Sequence, residues 1–118
     1  MNTVFIVDDS DTNLATAEEA LEDHYNVMTV PSAAKMFALL EKVRPNLILL
    51  DIEMPEMNGF EALERLKADK SMADIPVIFL TGTIDDSIKE KSAKLGAVDI
   101  ISKPFSTPVL LDSVKKHL

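Results

Sequence analysis

Five residues stand where apolar runs of this chain end. They are Asp8 and Asp9 after Thr3–Val7, Asp51 after Leu47–Leu50, Thr81 after Val77–Leu80, and Lys103 just past Val98–Ile101. Taken singly, each has an ordinary explanation. An Asp-Asp pair is a common solvated turn, Thr81 beside Gly82 a common turn residue, Lys103 before Pro104 a surface lysine, and Asp51 a cap for the turn behind it. Taken together, they are three carboxylates, a hydroxyl and an ammonium. Three gathered carboxylates repel one another, and at least one is pushed towards protonation unless a cation is present. Oxygen ligands at a half-open site suit Mg²⁺, which takes few carboxylates and keeps several waters. Zinc and copper are disfavoured: cysteine is absent, and the two histidines, His24 and His117, fall at helix positions away from these runs. A cation, a lysine and a hydroxyl around one aspartate are what phosphoryl transfer to a carboxylate needs, since that chemistry is mostly positioning and charge neutralisation.

Whether these residues gather depends on the elements that carry them. Leu47-Ile48-Leu49-Leu50 is a continuous apolar run, the pattern of a strand buried on both faces. It stops at Asp51, turns through Pro55 and Asn58-Gly59, and leads into a helical stripe at Phe60, Leu63 and Leu66. Thr3–Val7 and Val77–Leu80 read as similar strands, Val98–Ile101 as a fifth, and the less apolar Asn26–Val30 as an edge strand. Between them, Leu14, Ala17 and Leu21 follow a cap at Ser10 or Asp11, and Ala33, Met36, Phe37 and Leu40 follow a cap at Ser32. Asp85 opens a fourth helix that closes at Gly96 and has a thin apolar stripe, Ile88 and Leu95 with alanines. Ser106 caps a fifth, with Val109, Leu110 and Val114 facing in.

Strands alternating with helices five times predict an α/β fold, a doubly wound five-stranded parallel sheet with right-handed crossovers and the three most apolar strands central. In such a sheet all carboxyl ends share one edge, where ligands and chemistry sit. The five residues then converge although they lie far apart in sequence.

The chain has 118 residues, the size of one domain, with no internal repeat, linker or low-complexity segment. Its net charge of −8 opposes binding to phosphate backbones, so no direct nucleic-acid binding is expected. No tryptophan and few aromatics leave no base-stacking platform. The absence of cysteine fits a reducing compartment. Met1-Asn2-Thr3 runs straight into the first strand without a signal pattern, and no apolar run approaches a membrane span, so a cytoplasmic location is expected.

Asp8-Asp9, the block Asp51-Ile52-Glu53-Met54-Pro55-Glu56-Met57-Asn58-Gly59, Thr81-Gly82 and Lys103-Pro104-Phe105 occur in the order and element context of the receiver domain of two-component response regulators. The resemblance spans the whole chain. It implies a flavodoxin-like sheet of order 2-1-3-4-5 over residues 1–118, as a complete single-domain regulator or the N-terminal domain of a longer one. It implies that Asp51 is the phosphoryl acceptor, and that Asp9, Asp51 and the backbone carbonyl of Glu53 hold Mg²⁺ directly while Asp8 acts mainly through a bound water. Thr81 and Lys103 would hold phosphoryl oxygens, with a cis Lys103–Pro104 bond aiming the lysine. The donor would be a phosphohistidine of a sensor histidine kinase or a histidine phosphotransfer protein, and the domain would catalyse only its own phosphorylation and dephosphorylation. The signal would pass to an effector domain or protein not visible in the sequence. Family members also dimerise through the face of the fourth helix, fifth strand and fifth helix, so a phosphorylation-dependent homodimer is compatible with the resemblance.

At the switch, many receivers place an aromatic three residues before the lysine. Here that residue is Ile100, which has neither ring nor polar tip, leaving coupling to Thr81 and the fourth helix. Glu53 and Thr83 fall where their side chains approach an attacking water. Three other readings compete. A phosphorylation-independent receiver-like interaction module is opposed by the intact acidic set. An aspartate-nucleophile phosphohydrolase shares the lysine and Mg²⁺, but uses a second Asp where this chain has Glu53, and a substrate cap that so short a chain lacks. A flavin binder would need a Ser, Thr and Gly-rich phosphate loop where Asp8-Asp9-Ser10-Asp11 stands.

Overall fold

A computed structural model describes residues 1–118. Strands and helices alternate as β1 Thr3–Val7, α1 Asp11–Leu21, β2 Asn26–Val30, α2 Ala33–Leu40, β3 Leu47–Asp51, α3 Gly59–Ala68, β4 Val77–Thr81, α4 Asp86–Leu95, β5 Asp99–Ser102 and α5 Thr107–Lys116. The sheet is wholly parallel, in the order β2-β1-β3-β4-β5. The three apolar runs β1, β3 and β4 are central, and β2 is an edge as its mixed composition predicts.

Alternate residues of each central strand feed opposite layers. Phe5, Val7, Ile48, Leu50 and Phe79 pack with Met36, Phe60, Leu63 and Leu66 under α2 and α3. Val4, Ile6, Leu47, Leu49, Ile78 and Leu80 pack with Leu14, Leu21, Leu110 and Val114 under α1 and α5. Strands buried on both faces can be continuously apolar, and each large side chain so enclosed contributes about 2 kcal/mol. The Phe60 ring meets Phe79 edge-on at 5.4 Å, fixing the start of α3 against β4.

The helix starts are made by side chains that replace the missing intrahelical acceptors. Ser10, not Asp11, caps α1 by accepting from the Asn13 amide; Ser32 does the same for α2, Asp85 for α4 and Ser106 for α5. Asn58 and Glu61 form a reciprocal capping box at α3. At the end of α4, Gly96 adopts φ 94°, where a side chain is strained. A Cβ there meets first the end of the flexible Lys67 side chain at 3.0 Å. Gly96→Ala is therefore expected to cost only the conformational penalty, about 1 kcal/mol, read as a lower urea midpoint with an unchanged slope.

Two sequence expectations need correction. Val109 faces water, 55% exposed, while Leu110, Ser113 and Val114 form the inner stripe of α5. Val109 is the residue whose amide Ser106 caps, and that first-turn position points away from the sheet. The fifth strand begins at Asp99 rather than Val98 and includes Ser102. Val98 still donates its amide to Val77, but its side chain is exposed. The thin stripe of α4 is as expected: Ser92 is its single buried residue, with Ile88 and Leu95 half-buried against the core. His24 lies in the turn after α1 and His117 caps the end of α5.

Candidate functional site

Strand register does the gathering. Val7 is paired with Leu50, which puts Asp8 beside Asp51. Asp51 is paired with Leu80, so Thr81 extends one residue past it, and Thr81 is paired with Ser102, which leaves Lys103 next at the edge. Backbone bonds stitch the exits together: Asp8 donates its amide to Val30, Ile52 to Leu80 and Lys103 to Thr81. All five candidate residues thus meet at the carboxyl edge of the sheet.

Asp8, Asp51 and Thr81 are buried, and Asp9 is exposed. Asp51 is the last strand residue rather than the first outside it. The Lys103 ammonium lies 2.8 Å from Asp51 Oδ1 and 2.9 Å from Asp8 Oδ2, with 16% of its side chain exposed. This is a lysine drawn inward, not a surface one. The Lys103–Pro104 peptide bond is cis. The Glu53 amide also donates to Asp51 Oδ1, at 3.1 Å, so every polar contact of the Asp51 side chain falls on Oδ1. The Ser10 amide donates to Asp8 Oδ1.

The electrostatics follow from too few cations for the carboxylates. Burial pushes Asp51 up, the Asp8 charge adds to this, and Lys103 and the Glu53 amide pull it back, leaving its pKa at about 7 against an ordinary 3.8. Burial also works against the Lys103 charge, but its contacts with Asp51 and Asp8 more than offset this and hold its pKa above the usual lysine value. Burial thus favours the protonated form of Asp51, while the ion pairs favour the charged form of Lys103.

The residues fit a hard divalent cation. One carboxylate oxygen from each of Asp8, Asp9 and Asp51 lies within 4.8 Å of the others. Asp8 Oδ2 is buried and, although near Lys103, has no hydrogen bond of good geometry. A buried carboxylate oxygen with only the Lys103 ammonium beside it, next to two further carboxylates and no imidazole or thiolate, is a donor set for Mg²⁺.

One contact was not legible in the sequence. The Thr81 hydroxyl donates to Glu53 Oε1 at 2.6 Å, tying the loop after β3 to the end of β4. Thr83 lies on the same hydroxyl, its amide donating to Thr81 Oγ1 at 3.2 Å, with its carbonyl 3.0 Å away as a weaker alternative acceptor. The only available signal was the position of Glu53 two residues past Asp51, which placed it near the site but not on this partner. Ile100 is half-buried at the edge of the α2–α3 core, across β4 from the acidic cluster.

A second polar cluster lies at the other end of β5. Asp99 accepts from the Ser113 hydroxyl at 2.7 Å and from the Ile100 amide, and its Oδ2 is 3.3 Å from His117 Nε2. Burial would raise Asp99, but these donors outweigh it and hold its carboxyl below the ordinary value. Here one acid is shared by a serine and a histidine that make no hydrogen bond to each other, so the cluster anchors α5 and is not a nucleophilic triad.

No helix is long and apolar enough to cross a membrane. Comparison with known proteins agrees with the geometry. The family described as response regulator receiver domain matches residues 4–115. A probable cyclic di-GMP phosphodiesterase of Vibrio cholerae is 39% identical over 98% of this chain, which spans only 26% of that longer protein. The polar-differentiation response regulator DivK of Brucella ovis is 32% identical, with 98% of this chain and 95% of DivK aligned. Among solved structures, the chemotaxis protein CheY4 of Vibrio cholerae superposes with a TM-score of 0.95 at 28% identity, covering 100% of this chain and 99% of CheY4. With the match extending from β1 into α5, this chain belongs to the receiver domain family of response regulators.

Proposed function

We propose that the domain is a phosphoacceptor of two-component signalling in the cytoplasm, taking a phosphoryl group from a phosphohistidine onto Asp51. The observation that carries this is the Asp51 carboxylate held at 2.8 Å by Lys103 within a cluster of three carboxylates. Attack uses Asp51 Oδ2, the oxygen without a side-chain or amide contact. An O–P bond forms, the P–N bond to the donor imidazole breaks, and the imidazole leaves with the electron pair. The Lys103 ammonium and the Thr81 hydroxyl then hold phosphoryl oxygens. Asp9, Asp51 and the Glu53 carbonyl would hold Mg²⁺, with Asp8 acting through a water. When bound, that ion neutralises charge shared by the carboxylates and the phosphoryl group. Water later cleaves the acyl phosphate in the same site.

The output follows from where stability is lowest. The helix α4 has one buried residue and is joined to Thr81 by the loop 82–85. Drawing Thr81 towards a phosphoryl group shifts this loop and α4, changing the α4–β5–α5 face presented to an effector or a second copy. Ile100 contributes bulk, not a rotating ring, to that relay. The donor is a sensor histidine kinase or a histidine phosphotransfer protein.

The test is direct. Incubation with Mg²⁺ and acetyl phosphate should yield a single hydroxylamine-labile phosphoryl group on the peptide containing Asp51, and EDTA should prevent it. Labelling on another residue, or labelling indifferent to EDTA, would overturn the assignment.

A further inference from the structure

We propose that Glu53 is a built-in competitor for the phosphoryl group, a carboxylate that occupies the Thr81 hydroxyl until phosphorylation displaces it. The inference rests on the reading of Asp51 as phosphoryl acceptor and adds how the unphosphorylated state is held. Thr81 is fully buried, and a hydroxyl has one proton to donate. At 2.6 Å the O–H···O⁻ contact with Glu53 Oε1 has the length of a charge-assisted hydrogen bond, shorter than the 3.0 Å to the Thr83 carbonyl. A phosphoryl oxygen held by Thr81 needs that same proton. The two acceptors therefore exclude each other.

The geometry also supplies the release. Glu53 is exposed although its Oε1 reaches a buried partner, so its carboxylate can swing into water at little desolvation cost. Its amide remains bonded to Asp51 Oδ1, so the side chain can leave without the loop letting go of the acceptor. A phosphoryl group on Asp51 brings further negative charge two residues away, which repels Glu53 and frees Thr81. The acidic side chain thus biases Thr81 towards the resting arrangement and yields where charge arrives. Thr81 and Glu53 lie 28 residues apart in sequence, so the contact also ties the β3 exit to the loop leading into α4.

Substitution by Ala and by Gln separates this from a plain charge effect. Glu53→Ala removes charge and acceptor; Glu53→Gln removes the charge and keeps an amide oxygen for Thr81. The measurement is titration with beryllium fluoride, a phosphoryl mimic, at saturating Mg²⁺, followed by ¹⁹F and amide NMR. Glu53→Ala is expected to bind the mimic at least about tenfold more tightly than wild type, the low end of what one charge-assisted hydrogen bond no longer in competition is worth, and Glu53→Gln distinctly less tightly than Glu53→Ala. In a Thr81→Val background the advantage of Ala over Gln should vanish. In the mimic-free protein, the Thr83 amide resonance should move in Glu53→Ala and stay closer to wild type in Glu53→Gln. Equal affinities for the Ala and Gln variants, or an advantage that survives Thr81→Val, would show that Glu53 acts by charge alone and overturn the proposal. Failure of the wild-type domain to bind the mimic with Mg²⁺ would instead overturn the phosphoacceptor reading, and the competition with it.

Discussion

Asp51→Asn is expected to abolish Mg²⁺-dependent labelling by a phosphodonor and, in the same protein, to make the unphosphorylated fold more stable at pH 8. The first effect is chemical: an amide oxygen is a poor nucleophile and leaves no acyl phosphate. The second follows from the pKa of about 7 that burial and Asp8 impose on Asp51. Between the ordinary value of 3.8 and about 7, the folded state holds a proton that the unfolded chain has released. Stability therefore falls as pH rises through that window and stays low above it. An asparagine has no such proton to lose. The displacement would correspond to roughly 4 kcal/mol undiscounted. Asparagine also forfeits the charge-assisted bond to Lys103, and the site opens to water at Asp9, so a gain of about 1–2 kcal/mol is the expected size. Urea titrations without Mg²⁺ should show the gain at pH 8 and its decline towards pH 4. Adding Mg²⁺ should narrow or reverse the difference, because a ligand that binds only the folded wild type stabilises it by mass action. Residual labelling of the variant would remove Asp51 from its role. A variant less stable than wild type at pH 8 would show that the Lys103 contact outweighs carboxylate crowding.

What was legible in the sequence was whatever a one-dimensional pattern encodes. Leu47–Leu50 and Val77–Leu80 are continuous apolar runs because both faces of the sheet are covered, and the polar residues ending them mark the edge where the strands stop together. Caps were legible because they act within three residues: Ser32 on Lys35, Asp85 on Ile88, Ser106 on Val109. The grip of Lys103 on two carboxylates followed only once topology and register were assumed. The Glu53–Thr81 contact could not follow, because it depends on which rotamer a glutamate takes over a neighbouring strand. Val109 faces water for a reason the pattern does not carry: an apolar residue beside Leu110 looks like part of the inner stripe until the angle of α5 is known. Asn58-Gly59 marks a turn into α3 in the sequence, but the main constraint on Gly59 is the backbone it packs against.

Gly59→Ala should be among the most damaging single substitutions in the chain. A Cβ at this position would lie 2.5 Å from the backbone oxygen of Asp51 and 2.8 Å from Ile52 Cα, distances at which something must shift. Neither neighbour is a flexible side chain. Both are backbone at the exit of the central strand, and the Gly59 amide donates to the Ile52 carbonyl at 2.8 Å in the same contact. Relief requires α3 to retreat from β3. That retreat strains the Asn58–Glu61 capping box and pulls Phe60 from Phe79, while Leu63 and Leu66 lose core contacts. The expected cost is about 3 kcal/mol or more, since overpacking against backbone has no cheap escape. The contrast is Gly82, where an added Cβ meets nothing, so Gly82→Ala should stay within about 0.5 kcal/mol of wild type. Because the clash falls on the peptide carrying the acceptor, Gly59→Ala should also slow Asp51 labelling beyond what its folded fraction explains. Urea midpoints together with single-turnover labelling under conditions where the variant remains folded separate the two effects. A Gly59→Ala midpoint equal to that of Gly82→Ala would show that α3 is free to move away from the acceptor strand, and that the close approach at Gly59 does not hold Asp51 in place.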